Sequence, residues 1–190
     1  MFNKIRLKQV LEEYKKVFVQ QQWPDEKYKW EAIQCFQENW NINSGNFAQM
    51  LKKSLDPAGN LLASANNFPA KMIIGFAETA SEEVRSMYME LYDESKDLCE
   101  RIANFKNKSN TLLERYTNGA AQHYQYENAI MAYLWLRYPD KYYIYKFSEV
   151  KAVSSELESD YRFKKGAYVD NIRNFMALYD EICAELQQDD

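Results

Sequence analysis

The chain has 190 residues, of which 46% are hydrophobic and 27% are charged, and its formal net charge is −4 at pH 7. This length predicts one domain, or at most two, stable without a metal or a disulfide. The negative net charge excludes a protein that binds polyanions over its whole surface. Five glycines and four prolines are few for this length, which favours long helices over a fold of strands and turns.

Apolar residues recur at helical spacing along most of the chain. The first helix is expected to end at Trp23-Pro24, and the helix that starts at Thr79 or Ser81 is expected to run to about Phe105. Helices are predicted over residues 3–22, 25–40, 46–55, 70–77, 79–105, 111–116, 127–138, 147–157 and 168–187. Loops or breaks are predicted at residues 41–45, 56–60, 65–69, 107–110 and 118–119.

The stretch from His123 to Val150 contains nine of the 29 aromatic residues and one of the four prolines. Pro139 should end the helix in its first half, because the residue before a proline avoids the α region. Residues 142–147 are rich in aromatic and β-branched side chains, which favours a short strand or a buried extended segment. The stretch is predicted to be a core. The alternative is that some of its tyrosines line a pocket for a ligand or a base.

The predicted fold class is mainly α. Residues 1–190 are expected to form one compact domain of many helices, with room for a small β element of two or three strands near residues 142–147. The core is expected to pack against the last helix. Its predicted members are Tyr133, Leu134, Ile144, Phe147, Ile172, Phe175 and Tyr179.

The cysteines and the hydropathy of the chain bear on its location. Cys35, Cys99 and Cys183 are odd in number, far apart and outside any CxxC spacing, which predicts reduced, buried thiols. No apolar run approaches the length of a membrane span, and the N-terminus lacks the apolar core of a signal peptide. We therefore expect a cytoplasmic protein that has no membrane partner.

Sequence signatures of catalysis are absent. Neither GxxxxGK[ST] nor GxGxxG occurs, and the single histidine, His123, excludes a two-histidine metal site. Four acidic residues at helical spacing have the oxygen ligands that a divalent cation needs. A solvated helix face is favoured instead, because Asp97 is placed to pair with Arg101 four residues later. This group consists of Glu90, Asp93, Glu94 and Asp97. No catalytic, cofactor-binding or metal-binding residue is predicted, and the chain is not expected to be an enzyme.

Two short segments combine basic and aromatic side chains. Cations neutralise phosphates and aromatic rings stack on bases, so such segments are typical of nucleic-acid contacts. The alternative is that lysine stems cover a tyrosine-rich core while their ammonium groups stay in water. The candidate residues are Lys141, Tyr142, Tyr143, Lys146, Tyr161, Arg162, Phe163, Lys164 and Lys165.

Several phrases resemble the N-terminal region of bacterial McrB-like proteins. These are AAA+ nucleotide hydrolases of modification-dependent restriction systems, often described as 5-methylcytosine-specific restriction enzyme B. The resemblance covers nearly all of residues 25–187. It rests on YKWEAIQCFQENW (28–40), NFAQMLKKSL (46–55), NLL (60–62), LYDES (91–95) and YLWLRYPDKYYIYKFSEVKAV (133–153).

The resemblance implies a function for the chain. In that family the N-terminal region recognises the DNA target, and the motor that follows hydrolyses GTP or ATP with Mg²⁺ and works with a separate endonuclease subunit. We therefore expect a non-catalytic DNA-recognition module whose AAA+ motor lies beyond residue 190. The N-terminal regions of the family differ widely in fold, so no base specificity or binding residue is carried over. The alternative function is a protein-interaction domain that contacts the motor, the nuclease subunit or another copy.

Overall fold

A computed structural model describes residues 1–62, 68–117 and 119–188, apart from the side chain of Asn60. These residues are mainly helical, which confirms the predicted class. The helices are α1 (Lys4–Val17), α2 (Trp23–Asn39), α3 (Phe47–Leu55), α4 (Gly59–Leu62), α5 (Pro69–Thr79), α6 (Ser81–Leu91), α7 (Leu98–Tyr116), α8 (Glu127–Arg137), α9 (Phe147–Glu156) and α10 (Tyr168–Leu186). A π-helical turn (Phe18–Gln22) follows α1, and a 3₁₀ turn (Asp56–Ala58) follows α3.

The chain divides into two compact units. The terminal unit consists of Met1–Lys27 and Tyr143–Asp190, and the central unit consists of Tyr28–Tyr142. Each unit is described by itself below. The single domain predicted over residues 1–190 stays a prediction.

In the terminal unit, the start of α1 is bonded to the end of α9 and to α10. The side-chain oxygen of Asn3 accepts a hydrogen bond from the Arg6 N–H and caps α1. The Asn3 N–H donates to the carbonyl of Leu157, 2.8 Å away. Arg6 forms an ion pair with Glu156, which lies at the end of α9. Lys4 pairs in the same way with a glutamate of α10.

The core of the terminal unit forms around Phe175 on α10. The rings of Tyr143, Tyr145 and Tyr179 lie 6.1, 5.1 and 4.6 Å from the Phe175 ring between centroids. Of the predicted core residues in this unit, Ile172 and Phe175 are buried. The others, Ile144, Phe147 and Tyr179, are only half-buried.

The core of the central unit forms around Tyr88 on α6, whose side chain is fully buried. Its ring contacts those of Trp40, Phe105 and Tyr133 at centroid distances of 5.1, 5.4 and 5.5 Å. Helix α8 lies almost wholly inside this core. Its buried residues include the predicted Tyr133 and Leu134, together with Ile130, Met131 and Leu136.

The single helix predicted over residues 79–105 is wrong, because it is divided into α6 and α7. Asp93 accepts hydrogen bonds from the N–H and the hydroxyl of Ser95, which makes a turn after α6. Asp97 then caps α7 by accepting from the Glu100 N–H at 3.1 Å. Short polar side chains thus compete with the helical backbone. The linker predicted at residues 107–110 is wrong too, since α7 continues to Tyr116.

The structure differs from the prediction in other places as well. Pro24 lies in the first turn of α2, which follows the π-helical turn directly, so the helical run does not end at Trp23-Pro24 as predicted. No strand occurs in any described residue, so the small β element near residues 142–147 is not found. That segment instead begins with a turn, in which the N–H groups of Lys141 and Tyr142 both donate to the Tyr138 carbonyl. The predicted loop over 65–69 and the break at 118–119 lie partly outside the described residues. The prediction that the three cysteines are buried is wrong, because each of them is only half-buried.

His123 is buried, with only 4% of its surface exposed, and it fixes the segment before α8. Its Nδ1 accepts a hydrogen bond from the Gln125 N–H at 2.8 Å. The Gln125 side-chain amide donates to the carbonyl of Pro69, and its oxygen accepts from the Tyr133 hydroxyl. Burial lowers the pKa of His123, and the nearby charge of Lys106 lowers it further. The imidazole is therefore neutral in the native protein at pH 7.

We expect this imidazole to make the native state less stable in mild acid. An unperturbed histidine has a pKa of about 6.5, so as the pH falls the unfolded chain binds a proton before the native protein does. The free energy of unfolding should be highest above about pH 6.5 and should decrease below it. Urea unfolding between about pH 5 and pH 7.5 measures this dependence.

The matched control is His123→Asn, whose side-chain oxygen can still accept from the Gln125 N–H but does not titrate. The difference in unfolding free energy between the two proteins should be constant above about pH 6.5 and should change below it. Parallel curves over the whole range would show that the burial of His123 has no consequence for stability.

Candidate nucleic-acid interface

The nine candidate residues do not lie in one unit. Lys141 and Tyr142 belong to the central unit, and the other seven belong to the terminal unit. Each group is therefore described by itself.

In the central unit, the candidate side chains are held by Glu94 and Arg101. The Lys141 ammonium lies 2.5 Å from the Glu94 carboxylate and holds the pKa of that carboxyl below its ordinary value. Tyr142 is only 2% exposed. Its hydroxyl donates to Glu94 at 3.0 Å and accepts from Arg101 at 2.9 Å. The ring of Tyr142 belongs to the core and offers no face to a base, so Tyr142 is a poor candidate for stacking.

The first two candidates of the terminal unit also have structural partners. The ring of Tyr143 packs against Phe175 and Tyr179, and its hydroxyl donates to Asp180 at 2.9 Å. Burial, followed by the neighbouring Cys183 and Asp180, raises the pKa of Tyr143. The ammonium of Lys146 lies 2.9 Å from Glu149. Both side chains thus have partners within the terminal unit.

The remaining candidates form one segment, Tyr161–Gly166, here called the basic loop. Its backbone is fixed by side chains of α9 and α10. The Ser154 hydroxyl donates to the carbonyl of Tyr161 at 3.0 Å. Asn171 accepts from the Lys164 N–H at 3.0 Å and donates to the Lys164 carbonyl at 2.9 Å. Gly166 completes the loop with a φ of 87°, a conformation that favours glycine.

The side chains of the basic loop divide into two kinds. Tyr161 donates its hydroxyl to Glu181 at 2.7 Å, which raises the pKa of Tyr161, and Arg162 donates to the carbonyl of Ser159 at 2.5 Å. These two contacts hold the loop in place. Lys164 and Lys165 are exposed, and no carboxylate of the described residues lies within ion-pair distance of either ammonium.

A groove of about 470 Å³ lies beside the basic loop. It is lined in part by Lys151, Ser155, Glu158, Arg162 and Phe163. Lys151 was not among the predicted residues, because its place beside Arg162 depends on how α9 meets the loop. The groove lies at the C-terminal end of α9, where the carbonyl groups disfavour an anion. It also contains a carboxylate. The two exposed lysines of the loop are therefore the better phosphate contacts.

The carboxylates of the predicted acidic group are bonded to other side chains and to the backbone. Glu90 is bonded to Lys108, which holds the pKa of Glu90 below its ordinary value. Glu94 pairs with Lys141, as described above, and the two aspartates of the group make the turn between α6 and α7. In the part of the chain that the structure describes, no group of three or more cysteine, histidine or carboxylate side chains comes together. Over the same residues, no helix is long and apolar enough to cross a bilayer.

No family model, curated protein or solved structure gives a significant match to the chain. The resemblance to McrB-like proteins therefore rests on the sequence phrases alone.

Proposed function

We propose that the chain is a non-catalytic DNA-recognition module of a McrB-like restriction ATPase or GTPase, and that the basic loop contacts the DNA backbone. The observation that carries the proposal is a fixed loop with two lysines, Lys164 and Lys165, that pair with no carboxylate of the described residues, in a protein whose net charge is −4. Many of the other cations, including Lys141 and Lys146, already pair with carboxylates.

The loop is suited to phosphate binding because little of its backbone has to be ordered. Buried Asn171 holds both the N–H and the carbonyl of Lys164, and Asn174 donates to the carbonyl of Arg162 at 2.8 Å. Binding by a fixed loop avoids much of the entropic cost of ordering it. Each phosphate that a lysine neutralises releases condensed counterions, which makes binding favourable and dependent on salt.

The same geometry limits what the loop can recognise. Phosphate contacts set the register of a protein on DNA but carry no sequence information. Of the four predicted stacking partners, Tyr142 is buried, and the hydroxyls of Tyr143 and Tyr161 are held by carboxylates. Half-buried Phe163 is the one ring of the four that has neither constraint. The proposed role of the loop is therefore to position the module on DNA.

The proposed partners follow from the family resemblance. They are a DNA target, modified or not, an AAA+ motor in the same polypeptide that uses GTP or ATP with Mg²⁺, and a separate endonuclease subunit. The expectation that the chain itself is not an enzyme belongs to the same proposal.

The test is a pair of double variants that remove the same charge. Lys164→Gln/Lys165→Gln removes the two lysines of the basic loop, and Lys141→Gln/Lys146→Gln removes two paired ones. Fluorescence anisotropy with a labelled duplex of roughly 20 base pairs, between about 50 and 200 mM salt, measures affinity and salt dependence. The loop variant should bind more weakly, and the slope of log affinity against log salt should decrease by about 0.9 for each phosphate that is no longer neutralised. The control variant should keep most of the wild-type slope.

Equal slopes for the loop variant and the wild type would remove the basic loop from the DNA surface. The same would follow if the affinity of the control variant fell as far as that of the loop variant, since net charge alone would then explain the binding. Affinity for methylated and unmethylated duplexes should decrease in parallel, because the contacts are to the backbone.

A row of aromatic side chains favours a second candidate function, protein interaction. In the terminal unit, the ring of Phe18 lies 5.4 Å from that of Tyr14 and 6.0 Å from that of Trp23. Tyr14 and Trp23 are 43% and 42% exposed. Tyrosine and tryptophan are enriched in protein interfaces, where they supply large apolar contacts.

Sedimentation equilibrium tests this second function for a partner that is another copy of the chain. A dimer that the row holds together should dissociate in the variant Tyr14→Ser/Trp23→Ser and persist in Lys164→Gln/Lys165→Gln. A wild-type chain that stays monomeric over the whole concentration range would exclude the second copy as the partner.

A further inference from the structure

A cavity of about 370 Å³ lies in the central unit, and none of the residues that line it belongs to the basic loop. It is formed by α5, the end of α7 and the segment before α8, and its walls are mostly apolar and aromatic. Rings come from Phe68, Phe76, Tyr116 and Tyr124. A cavity of this size is at the small end of the range for pockets that bind small molecules.

Tyr124 reaches the cavity through an unusual backbone conformation. Its φ is 58°, in the left-handed region that non-glycine residues rarely adopt. The buried side chains of His123 and Gln125 hold the backbone on both sides of it, as described above. The strain is thus maintained by neighbouring residues, an arrangement that recurs at ligand sites.

Gly75 leaves open space in the same cavity. It lies in the interior of α5, where glycine is less favourable than alanine. Apart from its chain neighbours and the backbone of its own helix, a Cβ atom built on it would meet no heavy atom of the described residues within 4 Å. A larger side chain at this position therefore starts in open space and extends into the cavity.

Few polar groups of the cavity are available to a ligand. The hydroxyls of Thr79 and Thr117 donate to carbonyls of their own helices, and the Tyr116 hydroxyl donates to Glu83 at 2.9 Å. The Lys71 ammonium and the Tyr124 hydroxyl remain, since neither has a hydrogen-bond partner among the described residues. The site thus offers one cation and one hydroxyl amid aromatic and apolar walls.

We propose that this cavity binds a small aromatic carboxylate, with the ring against the aromatic walls and the carboxylate on Lys71. An aromatic ring suits the walls, and a single anionic group complements the single cation. A nucleobase fits less well, because its edge needs several convergent donors and acceptors and only two polar side chains of the cavity are free. The site is independent of the proposed DNA contact.

The experiment uses 4-hydroxyphenylacetate as the probe and 4-hydroxyphenylacetamide as its neutral counterpart. Binding is followed by NMR of the protein with ¹³C-labelled methionine methyl groups, because Met72 lines the cavity. The variant Met72→Leu assigns its signal. The acid should shift this signal in a saturable way, and the amide should bind roughly tenfold more weakly, as expected when one charge-assisted hydrogen bond is removed.

Variants of the cavity test the site itself. Gly75→Trp should abolish the shift by filling the cavity, whereas the matched Gly75→Ala should keep it. Lys71→Gln should remove the preference for the acid over the amide. If Gly75→Trp does not fold, Thr79→Phe serves as the second filling variant, since Thr79 also lines the cavity. Lys164→Gln/Lys165→Gln should bind the probe like the wild type.

The proposal would be overturned by the absence of a saturable Met72 shift with acid up to about 10 mM, by equal affinity for acid and amide, or by unchanged binding in a folded filling variant. Tighter binding of deoxycytidine 5′-monophosphate than of the acid would also overturn it, because it would make the cavity a nucleotide site.

Discussion

Replacing Tyr88 with alanine should lower the free energy of unfolding by about 3–5 kcal/mol. Tyr88 is 0% exposed, and its ring packs against five aromatic rings of the central unit. Removing the ring leaves a cavity among neighbours that are themselves fixed by packing, so the cost includes both buried surface and ring–ring interactions. The five rings are those of Trp40, Phe47, Tyr92, Phe105 and Tyr133.

The conservative variant Tyr88→Phe separates the ring from the hydroxyl. The buried Tyr88 hydroxyl has no hydrogen-bond partner among the described residues. A buried polar group without a partner costs about 1–3 kcal/mol, so phenylalanine should be tolerated or should stabilise the protein. Urea unfolding at pH 7 gives both values. A decrease in Tyr88→Phe as large as that in Tyr88→Ala would mean that the hydroxyl, and not the packing of the ring, stabilises the core.

Helical periodicity explains why much of the fold could be predicted. The stripe of α10 identified Ile172 and Phe175, which are both buried. The break between α6 and α7 could not be predicted in this way, because apolar residues keep a helical spacing on both sides of it. What ends α6 is a local turn at Asp93 and Ser95, a feature of hydrogen bonding that hydrophobic spacing does not detect.

The local surroundings of the candidate nucleic-acid residues could be predicted only in part. The combination of lysines and aromatics at residues 161–165 was visible in the sequence, and the structure places this segment in one fixed loop. The pairing of Lys141 with Glu94 was not visible, since the two lie on different elements. The pair of Lys146 with Glu149, at a spacing of three residues, was accessible from the sequence. Local contacts could thus be predicted, whereas partners distant in the chain required the structure.

Replacing Arg101 with alanine should lower the free energy of unfolding by roughly 3 kcal/mol, from two hydrogen bonds that involve a charged group. The sequence favoured a solvated pair of Arg101 with Asp97, but the side chain is only 3% exposed. Its guanidinium donates to the carbonyl of Leu91 at 2.6 Å and to the Tyr142 hydroxyl at 2.9 Å. Leu91 is the last residue of α6, where carbonyls lack helical partners, so Arg101 caps one helix and holds the segment after α8.

A double-mutant cycle tests this role of Arg101. Tyr142→Phe keeps the ring but removes the hydroxyl, and it should cost about 1 kcal/mol. Arg101→Lys should fall between the wild type and Arg101→Ala, because an ammonium cannot reproduce the planar fork that reaches both acceptors. The Nε atom has no partner among the described residues, which reduces what the wild-type arginine contributes. If Arg101→Ala and Tyr142→Phe are additive within about 0.5 kcal/mol, the two side chains are not coupled, and the hydrogen bond between them contributes nothing to stability.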